Sequence, residues 1–278
     1  MAPSPSVLVP ATLFTIMFAL GVGLPLDGFS RWQQQRGVLL RGLLGTCVLV
    51  PLAAVALLLW PATLSLSQPA RFAIALMAVS PSAPLLLRKA GKQGGDRSLA
   101  ALLQVGAALV AILITRIFGV SGWAIEARHV AGQVALAQLV PLLLGLLLRR
   151  FAPQWASRLE APLDRIANVL LLLLVLVVLA KTAPLLTTYV GANLVALPVM
   201  GALVLISLAL GYGLADRDPQ QRVTLALVTS MRNPGLALLL AGTYAPEVPA
   251  VKLGILMYLL ITVLLSIPFL HWQRLRQA

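Results

Sequence analysis

Residues 222–243 read RVTLALVTSMRNPGLALLLAGT, an apolar stretch of membrane-spanning length that is interrupted in its middle by the segment MRNPG at 231–235. A spanning helix needs about 20 predominantly apolar residues. Proline removes a backbone donor and clashes with the preceding turn, and the neighbouring glycine loosens the helix further. In lipid, the freed backbone groups must be satisfied inside the protein or by a cavity. The stretch therefore predicts a membrane helix that is broken at its centre.

The composition of the whole chain indicates a membrane protein. Of its 278 residues, 60% are hydrophobic and 10% are charged, and the mean hydropathy is +0.96. Soluble domains are about 45–50% apolar with about 25% charged residues. These values argue against a soluble globular protein, a disordered chain and a disulfide scaffold. The single cysteine, Cys47, allows neither an internal disulfide nor a cysteine metal cluster.

Nine apolar spans are long enough to cross a bilayer. Runs such as 169–180 are apolar all round, which is typical of a helix surrounded by lipid and other helices and not of a membrane strand. The sequence therefore predicts an all-α polytopic membrane protein, with residues 1–278 forming one transmembrane domain of about nine helices. The approximate limits of the spans are 6–26, 38–60, 71–90, 97–118, 129–150, 166–186, 190–214, 222–243 and 249–271.

The basic residues predict the orientation of the bundle. Of the 21 lysines and arginines, 15 fall in or next to the loops after the first, third, fifth and seventh spans and in the C-terminal tail. Five fall on the opposite side of the membrane, and Arg232 lies within a span. Basic loops stay cytoplasmic. We therefore expect an external N-terminus and a cytoplasmic C-terminus in a plasma membrane, the inner membrane in a bacterium. The absence of a continuous basic face argues against a nucleic-acid partner.

A second span carries a similar interruption, with the segment SPSAP at 80–84. Pairs of interrupted helices at corresponding positions of two halves are the best indication of a transporter binding site that a sequence can give. We expect the prolines and the glycine of the two segments to keep the breaks open: Pro81, Pro84, Pro234 and Gly235.

Arg232 has two open interpretations. A charge at mid-membrane costs at least ~2.5–3.5 kcal/mol on insertion scales, so it usually faces the bundle interior or water. In one interpretation the guanidinium holds an anionic substrate, and Asn233, Ser82 and Ser230 hydrogen-bond that substrate or cap the broken helix ends. In the other, the guanidinium caps a helix C-terminus or pairs with a buried carboxylate. No Asp or Glu lies at the middle of any other span, which favours the first interpretation.

No catalytic or metal motif accompanies the breaks. The sequence has no Walker loop, no zinc-type spacing of His and Glu and no nucleophile elbow. We therefore expect neither an enzyme nor a resident cofactor or metal. Gln104, a polar residue inside the fourth span, is one further candidate for substrate contact.

Three patches of the sequence resemble the bile acid:sodium symporter family. Residues 17–29, MFALGVGLPLDGF, resemble the family's M-F-x-x-G-L-x-L-x-x-x-x-F segment. Residues 80–99 resemble its C-P-G-G-T-A-S-N…G-D/N-x-A-L-S stretch, and residues 231–237, MRNPGLA, resemble its E-x-G-M-Q-N-S-G-L-A segment. The order and spacing of the three patches extend over essentially the whole chain.

The resemblance implies a specific architecture. The family has two inverted five-helix repeats, and the position of the first patch implies, by this resemblance, that the chain begins at the second helix of the first repeat. Two broken helices cross in a core domain, and a panel domain moves against it. By this resemblance the core helices lie at about 38–118 and 190–271, and the panel helices lie at about 6–26 and 129–186.

The family's sodium ligands are largely absent. Five positions that carry side-chain oxygens in the family are apolar or proline here: Pro84, Leu86, Leu87, Ala100 and Val228. Thr46 and Gln104 stand at two further ligand positions, and Asn233 is kept. Arg232 replaces a glutamine and puts a fixed positive charge where the family's second sodium would contribute one. The resemblance implies sodium, which backbone carbonyls at the breaks could still bind weakly, whereas the departures from the family's ligands predict transport by facilitated diffusion, exchange or proton coupling.

Together these observations predict a secondary transporter of a small organic anion, bile-acid-like or carboxylate-like, that works by alternating access in the lipid bilayer. Two alternatives stay open, an auxin-like or metalloid efflux carrier of related architecture and a non-transporting scaffold or sensor. A metalloid carrier is expected to have a cysteine at a broken helix, where this chain has Ser80. A scaffold has no reason to keep a charge as costly as Arg232. The sequence does not give the oligomeric state.

Overall fold

The structure is a computed structural model that describes residues 5–24, 35–83, 95–96, 99–100, 102–107, 110, 132–133 and 135–277. In these ranges every regular element is a helix, and the one β-type pairing is an isolated bridge. This confirms the all-α polytopic class predicted from the composition.

Ten helices lie in the described residues. Residues 102–107 are also helical, and one π-helical turn, Gly45–Leu49, lies within α2 while another, Ala135–Leu139, leads into α4. In chain order the helices are α1 (Pro5–Gly23), α2 (Arg36–Leu59), α3 (Gln68–Val79), α4 (Val140–Phe151), α5 (Pro153–Thr182), α6 (Leu186–Ala192), α7 (Ala196–Leu214), α8 (Pro219–Ser230), α9 (Pro234–Tyr244) and α10 (Pro249–Gln277).

Four helical segments are long and apolar enough to cross a membrane in the described part of the chain. They are Arg36–Leu59, Pro153–Ala192, Ala196–Leu214 and Pro249–Arg276. The shorter apolar helices α3 and α9 belong to the two interrupted spans. Much of the fourth span and the start of the fifth lie outside the described residues, so the total of nine spans stays a prediction.

The helix ends at the two interruptions follow from local sequence. α3 ends at Val79, and Ser80, which precedes Pro81, takes the extended conformation (φ −67°, ψ 134°) that a following proline favours. α8 ends at Ser230, and α9 begins at Pro234, where the missing N–H of proline costs nothing. The predicted breaks at Pro81 and at Pro234-Gly235 are therefore present, whereas Pro84 lies outside the described residues.

Helix α1 packs closely against α4 and α5. At its contact with α4, a Cβ on Gly21 would collide with the Leu142 carbonyl oxygen, and a Cβ on Gly145 would collide with the Phe18 carbonyl oxygen. Glycine at both positions lets the two backbones approach, which is a common way for membrane helices to associate.

The remaining long helices form a second group around α3. Helix α7 packs along α8, and α10 packs along α3 and α7. A Cβ on Gly211 of α7 would collide with atoms of Leu225 and Thr229 on α8. The first group meets the second where α1 touches α9 and where α5 touches α10.

Candidate functional site

The two breaks lie against each other. The backbone N–H of Ala83 donates to the carbonyl of Met231 (2.7 Å), and the N–H of Asn233 donates to the carbonyl of Pro81 (2.8 Å). Ser82 and Arg232 form the antiparallel bridge between these bonds. Backbone groups that the helix breaks set free are thus satisfied by the opposite break, as a low-dielectric interior requires. We refer to residues 80–83 and 231–233 as the crossing.

Asn233 both caps a helix and offers a free donor to the crossing. Its Oδ1 accepts from the N–H groups of Gly235 (3.1 Å) and Leu236 (3.2 Å), which are two of the unpaired donors at the start of α9. Its Nδ2 has no hydrogen-bond partner among the described residues, although the residue is only 4% exposed. The positive end of the α9 dipole therefore lies at the crossing, next to an unused amide N–H.

Arg232 is 2% exposed, and its guanidinium donates to backbone carbonyls from three segments. Its Nε donates to Met77 (3.2 Å) and its Nη2 to Ala78, both near the C-terminus of α3. Its Nη1 donates to Thr46 in α2 (3.1 Å) and more weakly to Thr229 in α8 (3.4 Å). These bonds use four of the five N–H donors of the guanidinium.

The charge of Arg232 has no carboxylate partner in the described ranges. The ion pairs found there join Arg41 to Asp216 (2.7 Å) and Arg149 to Glu160 (3.6 Å), with side chains that are partly exposed. The compensation for Arg232 comes instead from carbonyl dipoles, including those at the negative end of α3. The crossing therefore carries a buried positive charge that is hydrogen-bonded and not paired with a described acid.

These contacts are those of the second interpretation of Arg232, in which the guanidinium caps a helix C-terminus. Because one N–H is left over, a bidentate grip on a carboxylate would require at least one existing bond to break. Direct substrate binding by Arg232 stays a prediction.

The two candidate serines differ in what they offer. The Oγ of Ser82 is buried at the crossing and has no hydrogen-bond partner among the residues that the structure describes. The Oγ of Ser230 donates to the carbonyl of Ala226 (2.8 Å) within α8. Ser82 therefore resembles Asn233 in having an open polar atom, whereas the hydroxyl of Ser230 is already used inside its own helix.

Gln104 lies away from the bonds that join the two breaks. It is buried, and neither amide atom has a hydrogen-bond partner in the described part of the chain. Its helical segment packs on α2, where Leu103 would contact a Cβ on Gly42. The segment that carries Gln104 reaches the crossing through α2, whose Thr46 carbonyl accepts from Arg232, and through α8, because Leu103 packs in one cluster with Leu225 and Val228.

Two threonines, Thr46 and Thr229, connect the helices around the crossing through contacts that the sequence analysis did not predict. The carbonyl of Thr46 belongs to the π-helical turn of α2, a geometry that changes carbonyl directions. The Oγ1 of Thr229 lies 2.7 Å from the carbonyl oxygen of Ser207 on α7 and 2.8 Å from that of Leu225 in its own helix, so its single proton is shared between the two acceptors and links α8 to α7. The spacing of three residues between Thr229 and Arg232 could have predicted one contact, but no sequence signal indicates the contact with Thr46.

Sodium, which the resemblance implies, does not fit the described part of this site. The carbonyls of Thr46, Ala78 and Thr229 already accept hydrogen bonds from a cationic group. Val228 and Ala100 are buried and supply no side-chain oxygen. Pro84, Leu86 and Leu87 lie outside the described residues. No group of three or more His, Cys, Asp or Glu side chains that could hold a metal occurs among the residues described.

A comparison with known families supports the resemblance found in the sequence. The model of the Sodium Bile acid symporter family matches residues 10–189, which is more than half of the chain and includes the first break. The match ends before α8 and α9. No curated protein matches the chain. The extent of the family match shows that the chain belongs to the Sodium Bile acid symporter family.

Proposed function

We propose that this chain is a secondary transporter that carries a small organic anion across the membrane by alternating access, with the substrate bound at the crossing. Members of the family are transporters, and the chain is a multi-pass membrane protein of the bile-acid or organic-anion transporter type. The observation that carries the finer proposal is a pair of polar atoms without a hydrogen-bond partner among the described residues, Asn233 Nδ2 and Ser82 Oγ, on residues that adjoin Arg232 in the crossing.

The electrostatics of the crossing favour an anion. Both open groups can donate hydrogen bonds, and an anion only accepts them. The charge of Arg232 and the positive end of α9 both attract negative charge, and they act over longer distances in a low-dielectric interior than in water. The substrate therefore binds mainly to Asn233 and Ser82, within the field of a guanidinium that keeps its own backbone contacts.

A thermal-shift screen of the purified protein tests this substrate class. Small carboxylates are compared with amines and neutral analogues of similar size. We expect carboxylates alone to raise the Tm, because only a ligand that prefers the folded state stabilises it. Stabilisation by amines, with no effect of any carboxylate, would contradict an anionic substrate.

Alternating access requires one group of helices to move against the other. We propose that α1, α4 and α5 form the moving panel and that the helices around α3 form the core. The dense packing of α1 on α4 and α5 supports this division. A Cβ on Gly235 of α9 would lie 3.2 Å from Leu13 Cδ1 of α1, so this pair bridges the two groups.

Disulfide crosslinks test this motion in a Cys47→Ala background. The pair Leu13→Cys with Gly235→Cys joins the panel to the core. The control pair, Gly201→Cys with Leu265→Cys, joins two core helices, because a Cβ on Gly201 would lie 3.8 Å from Leu265 Cδ1. We expect oxidation to stop transport in the first variant, reversibly with a reductant, and to leave it unchanged in the control. Full transport in the oxidised first variant would contradict the division.

A further inference from the structure

We propose that the guanidinium of Arg232 is the built-in cation of the crossing, and that the backbone cage around it is a binding site specific for a guanidinium group. The proposal concerns how the crossing is held together. It does not depend on the identity of the substrate or on transport.

The cage is made of backbone oxygens from three separate segments. The carbonyl of Thr46 comes from α2, those of Met77 and Ala78 come from α3, and that of Thr229 comes from α8. All four accept from one side chain. Because no single helix supplies the cage, the site forms only when the three segments are assembled, and a cation at its centre stabilises that assembly.

The contacts match a planar, forked donor. Nε, Nη1 and Nη2 each donate to at least one carbonyl, so the bonds approach from three directions around the guanidinium. An ammonium group presents its charge at a point and lacks the fixed fork. A sodium ion would coordinate the same carbonyl oxygens and would therefore have to displace a guanidinium that is covalently tied to the site.

The cage is buried and is built from backbone carbonyls. Val228 is fully buried beside Thr229, and the Oγ1 of Thr46 contacts the Val228 carbonyl at 3.4 Å. No described carboxylate pairs with the cation, and its hydrogen bonds to described residues all go to backbone carbonyls. Removing the Arg232 side chain leaves these oxygens buried without donors, in a cavity of the size of the lost group. Such a cavity is suited to a free guanidinium or alkylguanidinium ion.

Chemical rescue of Arg232→Ala tests the proposal. The Tm of the purified variant is measured with increasing guanidinium or ethylguanidinium chloride, with choline chloride keeping the ionic strength constant. The controls are the wild type and Arg71→Ala. The guanidinium of Arg71 also donates to a backbone carbonyl, that of Thr63 (3.1 Å), but Arg71 is only half-buried.

We expect a saturable rise in the Tm of Arg232→Ala, by about 3–6 °C at ten times the dissociation constant. We expect no rise in the wild type or in Arg71→Ala. A change in Tm of the same size in Arg232→Ala, the wild type and Arg71→Ala would overturn the proposal. So would a saturable stabilisation of the wild type by sodium relative to choline.

A second comparison applies if Arg232→Ala is not recovered in folded form. Membranes that contain Arg232→Ala or Arg232→Lys are solubilised with and without guanidinium, and the monodisperse fraction is measured by size-exclusion chromatography. We expect guanidinium to increase the recovery of Arg232→Ala several-fold and that of Arg232→Lys less, because the lysine side chain fills part of the cage. Equal recovery of Arg232→Ala with and without guanidinium would contradict the proposal.

Discussion

At the scale of single residues, the crossing explains how a mid-membrane arginine is tolerated. The guanidinium replaces the donors that the broken ends of α3 and α8 lack, so one residue removes two costs, that of the buried charge and that of the unpaired carbonyls. The sequence predicted the buried position of Arg232 and its uncompensated charge. It offered a helix C-terminus as one possible partner but not which carbonyls accept, because Thr46, Met77 and Ala78 are more than 150 residues away along the chain.

Asn233→Asp separates helix capping from substrate binding. Aspartate caps a helix about as well as asparagine, so the bonds to Gly235 and Leu236 are kept and the Tm is unchanged or higher. The substitution removes the free Nδ2 donor and adds negative charge beside the substrate. We expect carboxylate binding to weaken by ~1.5–3 kcal/mol or more, measured by thermal shift.

The control for this variant is Asn233→Ala, which lacks both the cap and the donor. We expect it to lower stability by ~0.5–2 kcal/mol as well as to weaken binding. Undiminished binding of carboxylates by Asn233→Asp would remove Asn233 from the substrate site.

At the scale of helices, the sequence located the breaks better than the helix ends. The third span was predicted at 71–90 with a break at 80–84, and α3, Gln68–Val79, forms its first part and ends where the residue before Pro81 leaves the helical conformation. Residues 84–90 lie outside the described residues. The sixth span was predicted at 166–186, but α5 begins at Pro153. Its first turns carry charged residues, which a search for apolar runs does not include. Neither π-helical turn was predicted, because a π turn has no distinctive hydrophobic period.

Gly145→Ala tests the close contact between α1 and α4. A Cβ at this position would collide with the backbone carbonyl of Phe18 and lie 2.8 Å from the N atom of Val22, and neither atom can turn away as a side chain can. We expect a loss of ~1–3 kcal/mol in stability.

Gly213→Ala is the matched control, because it is also a helical glycine but a Cβ added there would meet no neighbouring side chain or helix within 4 Å among the described residues. We expect it to be neutral or stabilising by up to ~1 kcal/mol, since alanine is the better helix former. Thermal denaturation in detergent compares the two variants. Equal stability of the two variants would contradict the prediction, because it would mean that α1 and α4 move apart to admit the added methyl group without lowering the free energy of unfolding.

At the scale of the whole molecule, the distribution of basic residues predicts the topology. The family match and the apolar helices show a multi-pass membrane protein, whereas the orientation rests on the 15 basic residues proposed for the cytoplasmic side. Reporter fusions after Ala278 and in the loop at Gln93 should both report the cytoplasm. A periplasmic signal from either fusion would contradict the predicted nine-span order.

Transport of a carboxylate by purified protein in proteoliposomes, with choline replacing sodium on both sides, tests the anion-carrier proposal most directly. The probe is a radiolabelled carboxylate that raises the Tm of the purified protein, and Asn233→Asp is the control. We predict saturable uptake at the same rate in choline as in sodium, and much slower uptake by Asn233→Asp. Uptake that requires sodium, or the absence of uptake for every stabilising carboxylate, would contradict this mechanism.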